Sequence, residues 1–598
     1  MRNTFATFGY RLGVVIVIQI VLIGILMSRL FFLQIIDQEK YAGLSDRNRI
    51  RVTLKPALRG NIKDRNGVVL AQSVPYYNAR VICKDQDCRD KCKQILLNKK
   101  FEVSADVFDR KDNKSFVLKE RLSWDDITIL EAHKNDLPMI DIQTLYERTY
   151  PMDNATPHFL GYTSRIGEDH PYAKKMPYSM VGRSGLEKAL DETLFGVPML
   201  LEEEVNAYGE AMRTLSFSSG HKGNDVQLTI DAELQAFAYR KLETHKSGAV
   251  VVMDVTNGEI IALASCPSFN PGVFERGLSK PQWDALRFDI QTPLVDKTIM
   301  GQYALGSIIK PFIALAALEE GYITPDTRFT CTGVTVIDGQ PCHCWKDGGH
   351  GSLNLEEALR KSCNIYMYEI AKMMPLDLLT KWLGRFGLGE LTGSMLSGEK
   401  KGLMPSAEWK LKNRKDRWRR IDTVYLTIGQ GYVLATPLQL AKMMGQLVNG
   451  GHTINPHILT SFKQETSEKI LLSKRHLDVV INAIGQVMNH HEGTGYRSRP
   501  MGVDWQMGGK SGTAQVRKIT LRDRKQGKHH GYDWEWKYKD HAMFAGFAPL
   551  DKPKYVVIVL VEHGGFGGIT AAPLGRDIMQ FIMQKKLTKV SIRFARWS

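Results

Sequence analysis

Ser307, Ile308, Ile309 and Lys310 form a Ser-x-x-Lys tetrad, followed in order by Ser362-Cys363-Asn364 and by Lys510-Ser511-Gly512-Thr513. A serine hydroxyl is almost wholly protonated near neutral pH, and becomes a nucleophile when a base within hydrogen-bond reach takes its proton. Lys310 is the candidate base. Residues i and i+3 of a helix share a face, so its amine is expected over the Ser307 hydroxyl. Burial would disfavour the ammonium and bring the lysine into a general base's range. Ser362 and Asn364 offer a hydroxyl and an amide, able to relay a proton and hold a substrate amide. Lys510 offers positive charge to a carboxylate, while Ser511, Gly512 and Thr513 form a strand that could take an extended peptide by β-addition. Gly512 would let the substrate backbone come close. The backbone amides of Ser307 and Thr513 are the natural oxyanion-binding pair. The chemistry implied is acyl transfer through a serine.

The elements around these residues separate signal from coincidence. Two other tetrads, Ser219 to Lys222 and Ser397 to Lys400, lie in polar, glycine-rich, turn-like sequence. Ser307 instead follows Gly306 and opens an apolar helix, with Pro311 in its first turn and Gly321 as its stop. An ordinary snorkelling lysine is the bland alternative for Lys310, and the other two motifs weigh against it. Leu355 to Met373 and Thr436 to Asn449 read as helices. Ala249–Val255 and Glu259–Ala264 read as a hairpin through Asn257-Gly258, and Ala542–Ala548 with Tyr555–Val561 as another strand pair. Strands at both ends with helices between them predict an α+β domain, helices packed on an antiparallel sheet. The turn-rich stretch Ser216 to Asn224 predicts a domain boundary near residue 220.

The three motifs together resemble the penicillin-interacting serine acyltransferases, the penicillin-binding proteins and serine β-lactamases. Further stretches narrow the resemblance to the class B penicillin-binding proteins, and most closely to the penicillin-binding protein 2 group. They are Arg59 to Gly67, Tyr150-Pro151, His158 to Tyr162, Gly182 to Glu187, Ile428 to Tyr432, Thr436 to Gln439 and His541 to Phe544. Two positions depart from the family pattern. Leu305 stands where a proline is usual, and Asn364 where elongation-type members often carry aspartate. The resemblance implies a peptidoglycan D,D-transpeptidase of cell-wall elongation and cell shape, with Ser307, Lys310, Ser362, Asn364 and Lys510 catalytic. It also implies covalent penicillin binding and the serine β-lactamase-like transpeptidase fold over 221–590, preceded by an elongated, mostly-β, dimerisation-like pedestal over 37–220. A D,D-carboxypeptidase, a β-lactamase and a non-catalytic wall-synthesis scaffold are the competing functions.

Residues 12 to 28 carry no charge, and after Arg29 the apolar run continues to Ile36. This predicts a single transmembrane anchor over 12–36, not a cleaved leader, because no small-residue cleavage site follows. Arg2 and Arg11 in the 1–11 tail place the amino terminus in the cytoplasm, so the bulk would be periplasmic on the inner membrane. The formal net charge of +16 favours acidic phospholipid and carboxylate-rich wall polymer as neighbours, and nucleic acid is not expected. The basic stretch Arg517 to Lys528, with His529, His530 and Trp534 to Trp536 after it, reads as a solvated loop or an active-site flap. The resemblance adds stem peptides, β-lactams, a polytopic glycosyltransferase and an elongation scaffold as partners.

The chain has eight cysteines. Cys331, Cys342, Cys344, His350 and Cys363 crowd together, and three thiolates with one imidazole make a tetrahedral structural zinc site. Cys331, Cys344, His350 and Cys363 are the chosen ligands, because the resemblance places zinc ligands at His350 and Cys363. A Cys331 to Cys342 disulfide is the alternative. The expected catalysis itself needs no cofactor. Cys83, Cys88 and Cys92 admit a helical pair, a disulfide or a second metal site.

Overall fold

The computed structural model describes residues 2–38, 49–83, 85–99, 101–103, 107–108, 115–167, 176, 179–206, 211–462, 468–517, 519, 523 and 534–595. Most of the suggested flap, including Arg524 to Lys528, His529 and His530, lies outside them. The chain forms two compact units. One comprises Met1–Leu58, Ile166–Ser179 and Phe195–Gly223, and the other Arg59–Arg165, Met180–Leu194 and Asn224–Ser598.

In the first unit the apolar segment is a helix, Arg2–Phe31, running on through a π-helical turn, Phe32–Ile36. Among the described residues, Tyr10–Ile36 is the one helix long and apolar enough to cross a bilayer. The unit also holds a three-stranded antiparallel sheet. Ile50–Lys55 pairs with Met199–Val205, which pairs with Ala211–Ser218. Ser216 to Ser218, read from sequence as the start of a linker, are therefore strand. Their backbone groups pair with Leu200 to Glu202, and that ladder outweighs the serine content.

In the second unit, Val69–Ile82 is the long strand of a sheet that also contains Ile62–Lys63, Val226–Gln227, Ser115–Lys119 and Ile140–Thr149. Cys83 and Cys88 form a disulfide beside this sheet, and Cys92 is a buried free thiol. Asp64 anchors the Arg59 to Gly67 stretch. Its carboxylate accepts from the amides of Asn66 and Val68 and from Ala232 N, the first residue of helix α1 (Ala232–Glu243).

The hairpin expected around Asn257-Gly258 is β1 (Gly248–Asp254) with β2 (Ile260–Cys266). There follow α2 (Lys310–Glu319), α3 (Leu355–Arg360), α4 (Asn364–Met373), α5 (Ala407–Arg414), α6 (Arg420–Thr427), α7 (Pro437–Val448) and α8 (Lys474–Asn489). Strands β3 (Gly508–Ala514), β4 (His541–Ala548) and β5 (Tyr555–Val561) and helix α9 (Gly567–Ala595) complete the unit. The five strands form an antiparallel sheet in the order β2-β1-β5-β4-β3, the α+β architecture the sequence predicts. Every residue of β1, β2 and β5 is buried, which explains why they are apolar but for Asp254 and Ser265. Val250, Val252 and Ile261 pack with Ile578 and Met579 of α9, whereas Val251 and Met253 belong to a second core with Phe312 of α2 and Met444 of α7. Helix α2 is buried from Lys310 to Leu318 and β3 is left at the open edge of the sheet.

One expected helix is two. Leu355 to Met373 breaks at Lys361-Ser362-Cys363, where Ser362 has a left-handed backbone with φ of 55°. A serine there is strained. The break aims the second motif at the first.

Candidate active site

Ser307 sits in a 3-10 turn, Gly306–Ile309, that leads directly into α2. Gly306 has φ of 53°, and a Cβ there would lie 2.8 Å from the Thr513 carbonyl oxygen, so only glycine brings the nucleophile turn this close to β3. Gly512 makes the reciprocal approach. A Cβ at that position would lie 3.0 Å from the Leu305 carbonyl oxygen and 3.1 Å from Ile308 Cγ1. The close neighbour at Gly512 is thus the protein's own nucleophile turn.

The three motifs converge on one hydroxyl. Lys310 Nζ donates to the Ser362 carbonyl at 2.8 Å, to Asn364 Oδ1 at 2.7 Å and to Ser362 Oγ at 3.3 Å. Lys510 Nζ donates to the same Ser362 Oγ at 2.9 Å and to the Ser511 carbonyl at 3.2 Å. None of these Lys310 hydrogen bonds goes to Ser307, where the sequence places its amine. A fully buried amine must satisfy its donors, and a carbonyl and an amide oxygen are at hand. Burial lowers Lys310 from 10.5 to about 8, with the cysteines 344, 363 and 331 opposing the shift. Burial lowers Lys510 further, and the charge of Lys310 adds to the effect. Two fully buried amines share a hydroxyl with no carboxylate among their hydrogen-bond partners, so burial works against the charged form of each.

On β3, the Thr513 carbonyl accepts from Gln430 Nε2 at 2.9 Å, and so faces away from β4. A strand residue directs its N–H and C=O to the same side, which turns the Thr513 amide toward the open edge as well. The Ser511 hydroxyl lies 3.2 Å from Thr494 Oγ1. All eight residues chosen from the sequence as catalytic or substrate-binding lie on these three converging segments.

Three further residues escaped the sequence reading. Gln430 was visible inside Ile428 to Tyr432 but had no role; its side chain clasps both Thr513 and Gln515. Thr494 gives no local signal. Trp345 donates its indole N–H to the carbonyls of Lys361 and Ser362, each at 3.1 Å, and holds the strained turn.

Cys331, Cys344, His350 and Cys363 come together as chosen, their ligand atoms within 4.8 Å of one another. His350 Nδ1 is 3.5 Å from the sulfurs of Cys331 and Cys344. A tetrahedral zinc with ordinary bond lengths separates sulfur from nitrogen by about 3.6 Å, so the donor set fits. The hydrogen bond from Cys363 favours the thiolate on Cys344, and the Cys363 thiol is raised in consequence. Cys344 Sγ accepts from Asn364 N at 3.5 Å, which ties the cluster to the second motif. Cys342 stays outside the cluster, and neither it nor Cys331 is in a disulfide.

Known proteins resemble this chain along most of its length. Residues 248–580 match the family described as the penicillin-binding protein transpeptidase domain, and residues 54–228 the penicillin-binding protein dimerisation domain. A peptidoglycan D,D-transpeptidase MrdA of Acinetobacter baumannii is 33% identical over 587 residues, 94% of this chain and 86% of its own length. A Helicobacter pylori penicillin-binding protein (PBP2), solved in complex with MreC, superposes with a TM-score of 0.79 at 30% identity, over 90% of this chain and 99% of that one. A structure described as a peptidoglycan synthase complex coordinating polymerization and crosslinking gives a TM-score of 0.71 at 29% identity, over 95% and 97%.

Proposed function

Because the chain belongs to the class B penicillin-binding proteins, in the PBP2/MrdA group of peptidoglycan D,D-transpeptidases, we propose that the convergence on Ser362 is its catalytic centre. The donor stem peptide lies along the open edge of β3. Its penultimate carbonyl oxygen is held by the amides of Ser307 and Thr513 as negative charge develops there. Lys310 takes the Ser307 proton and the hydroxyl oxygen attacks that carbonyl. The C–N bond to the terminal D-Ala breaks, and the leaving amine receives a proton relayed through Ser362 and Lys510. Ser511 and Lys510 hold the donor's carboxylate. An amine from a neighbouring stem then attacks the ester. The Ser307 C–O bond breaks, the amide cross-link forms, and Ser307 regains its proton. A β-lactam takes the donor's place and remains as the acyl-enzyme.

The observation that carries this reading is the pair of buried amines on one hydroxyl, 2.9 and 3.3 Å away. The test is covalent labelling by a fluorescent penicillin. The wild-type protein should be labelled and Ser307→Ala should not, while both show the same thermal unfolding; a labelled, folded Ser307→Ala overturns the assignment.

The cysteine cluster is proposed as a structural zinc site held by Cys331, Cys344, His350 and Cys363. A bound zinc would supply positive charge to the thiolates and cross-link the loop after Cys331 to the second motif, with no part in bond making. Purified protein should contain about one zinc per chain; absence of zinc removes this element and leaves the serine chemistry untouched. The apolar helix supports a single-pass anchor in the inner membrane, with the Arg2 and Arg11 end cytoplasmic and the rest periplasmic. The relatives solved with MreC and in a synthase complex support an elongation scaffold and a polytopic glycosyltransferase as partners.

A further inference from the structure

Lys410 to Arg420 contains seven cationic residues and a single acid, Asp416. Such a run is ordinarily a solvated face. Here the fold uses up the local acids. Lys410, 2% exposed, ion-pairs with Asp422 at 2.7 Å and Asp416 at 3.0 Å and donates to the Arg417 carbonyl at 2.9 Å, pinning the hairpin between α5 and α6. Arg419 takes the rest of Asp416 at 3.0 Å. Lys412, Arg414, Lys415, Arg417 and Arg420 are exposed and have no ion pair among the described residues; Glu408, at the start of α5, makes none with them.

The hairpin is also tied to the cleft. The Tyr432 ring packs against Trp409 at 5.3 Å and Trp418 at 6.5 Å, with the Arg414 guanidinium 5.7 Å from its centroid. Tyr432 follows Gln430 by two residues, and Gln430 is the side chain that clasps Thr513 and Gln515 at the end of β3. Tyr432 and the two tryptophans thus link the loop that clasps β3 to an open cationic ledge.

We propose that this hairpin, residues 407–422, is a docking ledge for the carboxylate-bearing glycopeptide polymer whose stem peptide enters the cleft. The inference rests on the transpeptidase reading and extends it from the reacting dipeptide to the strand behind it. Guanidinium groups pair with carboxylates in fixed, often bidentate geometry. A polymer repeating those carboxylates gains by multivalency what each exposed pair lacks. A lipid surface offers the same sign of charge, but only the polymer must lie beside β3 for the reaction to occur.

The test uses the full chain in detergent, with solubilised uncross-linked peptidoglycan strands as one probe and vesicles containing phosphatidylglycerol as the other. The triple variant Arg414→Glu, Arg417→Glu, Arg420→Glu should bind the strands about tenfold more weakly, with the three-lysine counterpart recovering part of the affinity. Its acylation by fluorescent penicillin should match wild type, which shows that fold and cleft are intact. Wild-type affinity for the strands should also fall with added salt. Unchanged strand affinity in the glutamate variant, salt-insensitive binding, or loss of vesicle binding with strand binding kept would each overturn the ledge. Failure of the wild-type protein to take up penicillin would instead sink the transpeptidase reading.

Discussion

The second unit buries cations in two ways. At Glu187, wholly buried, the guanidinium of Arg59 donates to one carboxylate oxygen at 2.6 Å and that of Arg148 to the other at 2.6 Å; Asp191 takes a further Arg59 bond at 2.6 Å. Burial alone would lower Arg59, but the charges of Glu187 and Asp191 outweigh it and raise its pKa. At Ser362 the buried Lys310 and Lys510 have only neutral acceptors and both are pushed down. A compensated buried charge is fixed in place and serves the fold. The uncompensated amines at Ser362 are the ones the proposed reaction would use.

Removing one partner should separate the two cases. Lys310→Met is expected to slow penicillin acylation by about 10³-fold, the range a positioned base contributes, with no loss of thermal stability. It deletes an ammonium that the lowered pKa shows to be unfavourable in the fold, a relief that offsets the orphaned Ser362 and Asn364 acceptors. Glu187→Gln should do the opposite. It leaves Arg148 without its carboxylate, so denaturant unfolding should show a loss of about 3 kcal/mol or more, with acylation of the folded fraction nearly unchanged. If Lys310→Met proves the less stable of the two, the contrast between the sites fails.

Titration sharpens the same contrast. Lys310 must lose its proton to act as base, and its pKa lies at about 8 instead of 10.5 because it is buried. The acylation rate should therefore be low below that value and rise through it, about tenfold per pH unit on the lower limb. The unfolded chain holds the Lys310 proton up to 10.5, so the penalty for burying it is fully present below about 8 and fades as pH rises between the two values. Arg59, raised rather than lowered, keeps its proton throughout and adds no slope. An acylation profile flat from pH 6 to 10 would remove Lys310 from the role of base.

The sequence made the chemistry legible because the reaction needs particular groups, and those groups declare themselves: a serine, two lysines, an amide and a glycine-containing strand. The hairpin at Asn257-Gly258 was legible because turn residues and short apolar runs act locally. What stayed hidden depends on contacts distant along the chain. Nothing around Leu355 to Met373 announces that Ser362 takes a left-handed backbone, since its helical periodicity continues across the break. Gly512 was read as room for substrate, and the structure fills that room with Leu305 and Ile308 of the nucleophile turn. The sulfur and imidazole cluster was legible as a set, because Cys331, Cys344, His350 and Cys363 are dense in the sequence, yet its neighbour Trp345 was passed over.

Trp345 offers the smallest and most discriminating test. Its indole N–H spans the carbonyls of Lys361 and Ser362, and Ser362 O also receives Lys310. The tryptophan is 46% exposed, so its ring adds little to the core, and its hydrogen bonds hold a turn whose backbone a serine does not prefer. Trp345→Phe keeps most of the apolar surface and deletes the donor. The expected cost to stability is about 1 kcal/mol. Acylation should slow about tenfold, because a Ser362 free to relax loses its alignment with both lysines. The pH midpoint should stay where Lys310 puts it, since the burial of that amine is unaltered. A midpoint moved toward 10.5 would mean instead that Trp345 keeps water from Lys310.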